Sequence, residues 1–101
     1  SDGIIKQILE WIDEHYTDDS ITMKTVARQM GYSVGHCSQI FRMATNMNFR
    51  DYINLKRLKK AKELLSDKTL DLTTFDILYA CGFKCPSTYY RVKKRMEGRE
   101  N

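Results

Sequence analysis

Two stretches decide the fold of this chain: Thr22-Met-Lys-Thr-Val-Ala-Arg-Gln-Met-Gly31-Tyr32 and Thr73-Thr-Phe-Asp-Ile-Leu-Tyr-Ala-Cys-Gly82-Phe83. They repeat at a constant offset of 51 residues, pairing Thr22 with Thr73, Gly31 with Gly82 and Tyr32 with Phe83. In each, a threonine suited to cap a helix N-terminus opens a short run with apolar residues at helical spacing. A glycine followed by an aromatic residue then supplies a turn. Beyond each turn a second helix is predicted, capped by Ser33 in the first case and opened by Pro86, tolerated at a first helical position, in the second. A short helix, a tight glycine-containing turn and a second amphipathic helix make a helix-turn-helix pattern. One such segment is common in any small helical bundle, whereas two in the same phase point to a repeated unit with a shared purpose.

The flanking sequence fits around these units. Ile4, Ile5, Ile8, Leu9 and Ile12 form one stripe, edged by Trp11 and Tyr16, and predict a helix over about 4–16 that breaks at Thr17-Asp-Asp-Ser20. Val26, Ala27 and Met30 face inward from the next helix. Cys37, Ile40 and Phe41 do so from a helix running to about Ala44, where Asn46 suits a left-handed C-cap. Between the repeats, a long helix is predicted over about 49–66. Tyr52, Ile53, Leu58, Ala61, Leu64 and Leu65 line its apolar side, and Arg50, Lys56, Arg57, Lys59, Lys60 and Lys62 crowd the others. Thr73-x-x-Asp76 reads as a capping box. Tyr89, Val92 and Met96 give the last helix an apolar stripe at i, i+3, i+7. Proline occurs once and β-branched alternation is scarce, so the chain reads as all-α. One domain over 1–101 is expected, with the first unit at about 21–46, the bridging helix at about 49–66 and the second unit at about 72–97.

Charge distribution narrows the function. Residues 1–20 carry six acids and one lysine, whereas residues 21–101 carry sixteen Lys/Arg against seven acids. A basic body of net +9 behind an acidic leading segment of net −5 suits a polyanion held on one face. It equally suits an acidic protein partner, so a helical protein-interaction module is the alternative function. Other classes fit poorly. No apolar run is long enough to span a membrane and no signal-peptide pattern opens the chain. Three cysteines form no disulfide framework, as expected in a reducing cytoplasm. The Cys81-x-x-x-Cys85 pair, with His36 and Cys37, lacks the second ligand pair of a metal site. His15 and His36 have no acid or nucleophile at telling spacing. No enzyme activity, cofactor or metal is expected.

Double-stranded DNA is the expected partner, because the second helix of each unit can enter a major groove about 12 Å wide. In the first unit the candidate contacts are Val34, Gly35, Ser38, Gln39 and Arg42. Gln39 can pair with adenine through its amide, and Ser38 can serve base or phosphate. In the second unit they are Pro86, Ser87, Tyr90, Arg91, Lys94 and Arg95. There Arg91 is the best-suited base reader, Tyr90 suits sugar, phosphate or a thymine methyl, and Lys94 and Arg95 suit phosphate.

The segments Ile21-Thr-Met-Lys-Thr-Val-Ala27, Gly31-Tyr-Ser33, Ser38-Gln-Ile-Phe-Arg42, Phe49-Arg-Asp-Tyr52, Arg57-Leu-Lys-Lys-Ala61, Leu64-Leu65 and Gly82-Phe83 resemble the AraC/XylS-type regulators over about residues 4–98. The resemblance implies a seven-helix, cytoplasmic DNA-binding domain for transcription regulation, its two recognition helices addressing successive major-groove segments. It further implies RNA polymerase subunits as partners, an N-terminal effector or receiver domain beyond this chain, and a structural role for Arg57 in the bridging helix. The second unit departs from the family pattern. Leu78 stands where alanine is usual, Thr74 replaces an apolar residue, and Lys93 and Glu97 occupy positions that are usually aromatic. The closing Ser-Pro-x-x-Tyr-Arg is missing after Gly98.

Overall fold

The structure, a computed structural model, describes residues 2–100. Its elements, in chain order, are α1 (Asp2–His15), α2 (Met23–Met30), α3 (Val34–Thr45), α4 (Phe49–Ser66), α5 (Thr74–Ala80) and α6 (Pro86–Glu100). The all-helical class is as the sequence reads, but the count is six among the described residues. The seventh helix implied by the family resemblance is corrected here for a physical reason. With no proline after Pro86 and no Ser-Pro closing motif, nothing breaks the last helix, which runs through Gly98 to Glu100 instead of ending near Met96.

The chain falls into two compact units. One holds the residues up to Tyr16 and Ser20–Ile53; the other holds Thr17–Asp19 and the residues from Asn54 onward. In the first unit α1, α2 and α3 pack on one another. They enclose Ile8, Ile12, Val26, Ala27, Cys37, Phe41 and Ile53. Phe41 is the anchor, its ring meeting Phe49 and Tyr52 edge-on at centroid distances of 5.8 and 5.1 Å. Burying side chains of this size contributes about 1.5–3 kcal/mol each before the entropy of ordering them is deducted.

The second unit is built around Leu58 and Ala61 of α4, Ile77, Leu78 and Cys81 from α5 and its C-cap, Phe83, and Tyr89, Val92 and Met96 of α6. Three departures from the family pattern find their place here. Leu78 is 1% exposed, so the larger side chain is absorbed into the core. Glu97 is half-buried and accepts an ion pair from Lys62 Nζ at 3.1 Å, while Thr74 is simply exposed in the first turn of α5. Both partners of that pair keep much of their exposure, so it contributes about 0–1 kcal/mol.

Candidate nucleic-acid interface

The repeat read from the sequence recurs in the bond that opens each short helix and in the bond that closes it. Thr22 Oγ1 accepts from the Thr25 amide at 3.2 Å, and Thr73 Oγ1 accepts from the Asp76 amide at 3.1 Å. At the other end, the amide of Tyr32 donates to the Ala27 carbonyl at 3.1 Å, and the amide of Phe83 donates to the Leu78 carbonyl at 3.0 Å. This is the six-residue closure of a Schellman turn, and it requires a left-handed residue at the glycine. Gly31 and Gly82 supply it with φ of 80° and 103°. At the first N-cap the return bond also forms, from the Thr22 amide to Thr25 Oγ1 at 3.1 Å, a capping box that the sequence did not signal because threonine, not glutamate, closes it. The two turns then diverge. Phe83 is buried and meets the Tyr89 ring edge-on, whereas Tyr32 stays exposed beside the His36 ring, 5.4 Å away.

Ser33 caps α3 by accepting from the His36 amide at 3.1 Å, and Asn46 closes it in the left-handed conformation at φ 57°. Because Cys37 and Phe41 are buried, the opposite face of α3 is free. Val34, Gly35, Gln39 and Arg42 are exposed, and Ser38 lies half-buried at the edge of that face. His36 and Met43 also lie on it, and sequence reasoning left them out. Their spacing from Gln39, three residues before and four after, was the available signal.

In α6 the burial of Tyr89, Val92 and Met96 fixes the rotation of the helix. Ser87, Tyr90, Arg91, Lys94 and Arg95 are therefore exposed, with Pro86 half-buried at the first turn and Lys84 exposed just before it. The Cys85 thiol, also exposed, lies 3.1 Å from Ser87 Oγ and 3.3 Å from Thr88 Oγ1. Hydrogen bonds from the Ser87 hydroxyl, then the Thr88 hydroxyl and amide, favour the thiolate and bring its pKa from 9.0 down to about 7. The other two cysteines are buried, which pushes both thiols up.

Arg57 holds the turn that leads into α6. Its Nη2 donates to the main-chain carbonyl of Asp18 at 2.9 Å, and its side chain lies against Gly82. Burial lowers the pKa of this guanidinium, and the nearby Asp19 and Asp18 oppose that shift. The arginine is thus committed to structure. Asp51 is a residue whose role the sequence did not reveal. It is 2% exposed at the start of α4, where its amide donates to Asn48 Oδ1 at 2.8 Å. Among the described residues, no group of three or more His, Cys, Asp or Glu side chains could hold a metal, and no helix is long and apolar enough to cross a membrane.

Two helices, each with its outer face free and set by a glycine turn against a shorter partner, define a helix-turn-helix protein. A model for a helix-turn-helix domain matches residues 26–100. Regulatory protein SoxS of Escherichia coli K12 is 35% identical over 92 residues, which span 91% of this chain and 83% of that protein. Among solved structures, the C-terminal domain of the two-component response regulator yesN from Fusobacterium nucleatum superposes with a TM-score of 0.80. It is 29% identical, and the match covers 92% of this chain and 88% of that one. The DNA-binding domain of AdpA, solved with a target DNA, shares the fold at a TM-score of 0.78 and 22% identity, over 90% of this chain and 79% of that one. The chain belongs to the AraC/XylS-type family of helix-turn-helix transcription regulators.

Proposed function

We propose that this chain binds duplex DNA sequence-specifically to regulate transcription, with α3 and α6 as recognition helices in successive major-groove segments. The observation that carries this reading is the doubled unit itself. Each unit keeps one helix face clear of its core and lines it with groups suited to base edges and phosphates. In α3, Gln39 pairs with adenine and Ser38 and Arg42 reach base or phosphate, with Val34 and Gly35 at the entering end. In α6, Arg91 reads guanine, Tyr90 meets sugar, phosphate or a thymine methyl, and Lys94 and Arg95 clamp phosphates, with Pro86 and Ser87 leading. The chain performs no chemistry on its ligand in this reading and needs no cofactor.

Protein partners follow from a second feature. Phe75 and Tyr79 stack on the exposed side of α5, with Leu72 exposed just before the helix and the exposed acids Asp71 and Asp76 near them in sequence. A surface of this sign is suited to protein rather than DNA and supports contact with RNA polymerase. The likeness to the C-terminal domain of a two-component response regulator supports an effector or receiver domain N-terminal to this chain, acting in the cytoplasm.

Fluorescence anisotropy on a labelled random-sequence duplex tests the central claim. Micromolar binding is expected, with log K falling steeply and linearly against log salt as counterions are released. Absence of binding at low salt, or affinity insensitive to salt, sinks it in favour of an acidic protein partner.

A further inference from the structure

We infer that the first recognition helix reads DNA along the line Gly35–Gln39–Met43, with Gly35 as a point of close helix approach and Met43 as an apolar reader of thymine. The inference rests on α3 being a groove-entering helix and adds which groups set its specificity.

The burial of Cys37 and Phe41, four residues apart, defines the inward direction of α3. Positions 35, 39 and 43, also four apart, lie opposite and are all exposed, with His36 alongside. Along eight residues this line advances about 12 Å. Gly35 is unlike the turn glycines: its φ lies outside the left-handed region, and a Cβ added to it would meet no atom within 4 Å. Neither backbone geometry nor internal packing therefore selects glycine here, while helix propensity selects against it. The remaining constraint is what the helix meets from outside. A groove wall that lies against the backbone at Gly35 leaves no room for a methyl group.

At the other end of the line, Met43 is 80% exposed, more than any other large apolar side chain described. The C5-methyl of thymine is the apolar target that base edges offer in the major groove. A flexible, polarizable thioether can follow it at the end where the helix stands further off. Gln39, between the two, is matched to the N6 and N7 of adenine. An A·T pair offers both features at once, so A·T pairs are assigned to the site under α3.

The probe is a duplex recovered by selection from a randomised library with the wild-type chain, tested alongside a copy with deoxyuridine in place of thymidine. Gly35→Ala is expected to melt roughly 4 °C higher than wild type. It should nevertheless bind the selected duplex about tenfold more weakly, opposite signs that a merely structural glycine does not produce. Removing the thymine methyls should weaken wild-type binding by about fourfold more than it weakens the binding of Met43→Ala. Wild-type affinity in Gly35→Ala, or an equal response of wild type and Met43→Ala to deoxyuridine, overturns the inference. Failure of the wild type to select any duplex overturns the DNA-binding reading itself, so the two failures are told apart.

Discussion

A Cβ built on Gly82 would stand 2.7 Å from Nε of Arg57 and 3.0 Å from the carbonyl oxygen of Thr17. The turn into the second recognition helix is thus closed on the outside by a guanidinium, whereas Gly31, its counterpart in the first unit, has open space where its side chain would be. Both need the left-handed conformation, but only one also needs the missing atom. Gly31→Ala is expected to cost about 1–2 kcal/mol, the ordinary penalty for an L-residue there. Gly82→Ala should cost about 3 kcal/mol or more, because strain and overpacking add. Denaturant melts of the two variants check the order, and equal losses would show that the Arg57 side chain simply swings away.

The same pair yields a coupling. Arg57→Ala should lower stability by about 2 kcal/mol through its charge-assisted bond to the Asp18 carbonyl. With Arg57 gone, the extra penalty of Gly82→Ala should shrink toward that of Gly31→Ala, a non-additivity read from a double-mutant cycle. The slope of DNA affinity against salt should not change. A slope shallower by about one unit in Arg57→Ala would place this arginine on phosphate instead.

The sequence revealed the parts of the fold that rest on short-range chemistry. Helix α4 over Phe49–Ser66, the caps at Thr22, Ser33 and Thr73, and the glycine turns all follow from local propensity and spacing. The stripe Tyr89, Val92 and Met96 was likewise readable, and it fixes which side of α6 is free. What escaped depends on contacts distant in sequence or on the full circle of a helix. Arg57 beside Gly82 joins residues 25 positions apart, so its geometry leaves no local trace. The different fates of Tyr32 and Phe83 come from what each unit packs around its turn, although the repeat places them identically. Met43 and His36 were not read as part of the outer face of α3, because an exposed methionine and a lone histidine carry no DNA-contacting signal of their own. The inward stripe of Cys37 and Phe41 already placed position 43 outside, so its exposure was readable from spacing although its role was not.

Arg91 and Lys94 lie one turn apart on the exposed side of α6 yet should fail differently when removed. A bidentate arginine–guanine contact discriminates by roughly 1–3 kcal/mol, while a lysine on phosphate attracts any sequence alike. Arg91→Ala is therefore expected to lose most affinity on a selected site and little on a scrambled one. Lys94→Ala should weaken both by the same factor and make the salt slope shallower by about 1. Parallel anisotropy titrations on the two duplexes separate the roles, and identical behaviour of the variants would refute the assignment.

Cys85, immediately before α6, should make both stability and binding respond to pH, in opposite directions. Its folded pKa of about 7 is depressed from 9.0, so the folded domain releases this proton before the unfolded chain does. The resulting stabilisation is fully present above about pH 9 and is lost as pH falls through about 7. On the exposed approach to α6, the recognition helix proposed above to clamp phosphates, the same thiolate is a repulsive charge. Wild-type affinity for DNA should thus decline as pH rises from 6 to about 8, relative to Cys85→Ser, while the stability difference between the two grows. Alkylation should titrate at Cys85 with a midpoint near 7 and proceed much more slowly at the buried Cys37 and Cys81. A midpoint near 9.0, or parallel pH profiles for wild type and Cys85→Ser, would mean that the Ser87 and Thr88 hydroxyls do not hold the thiolate in solution.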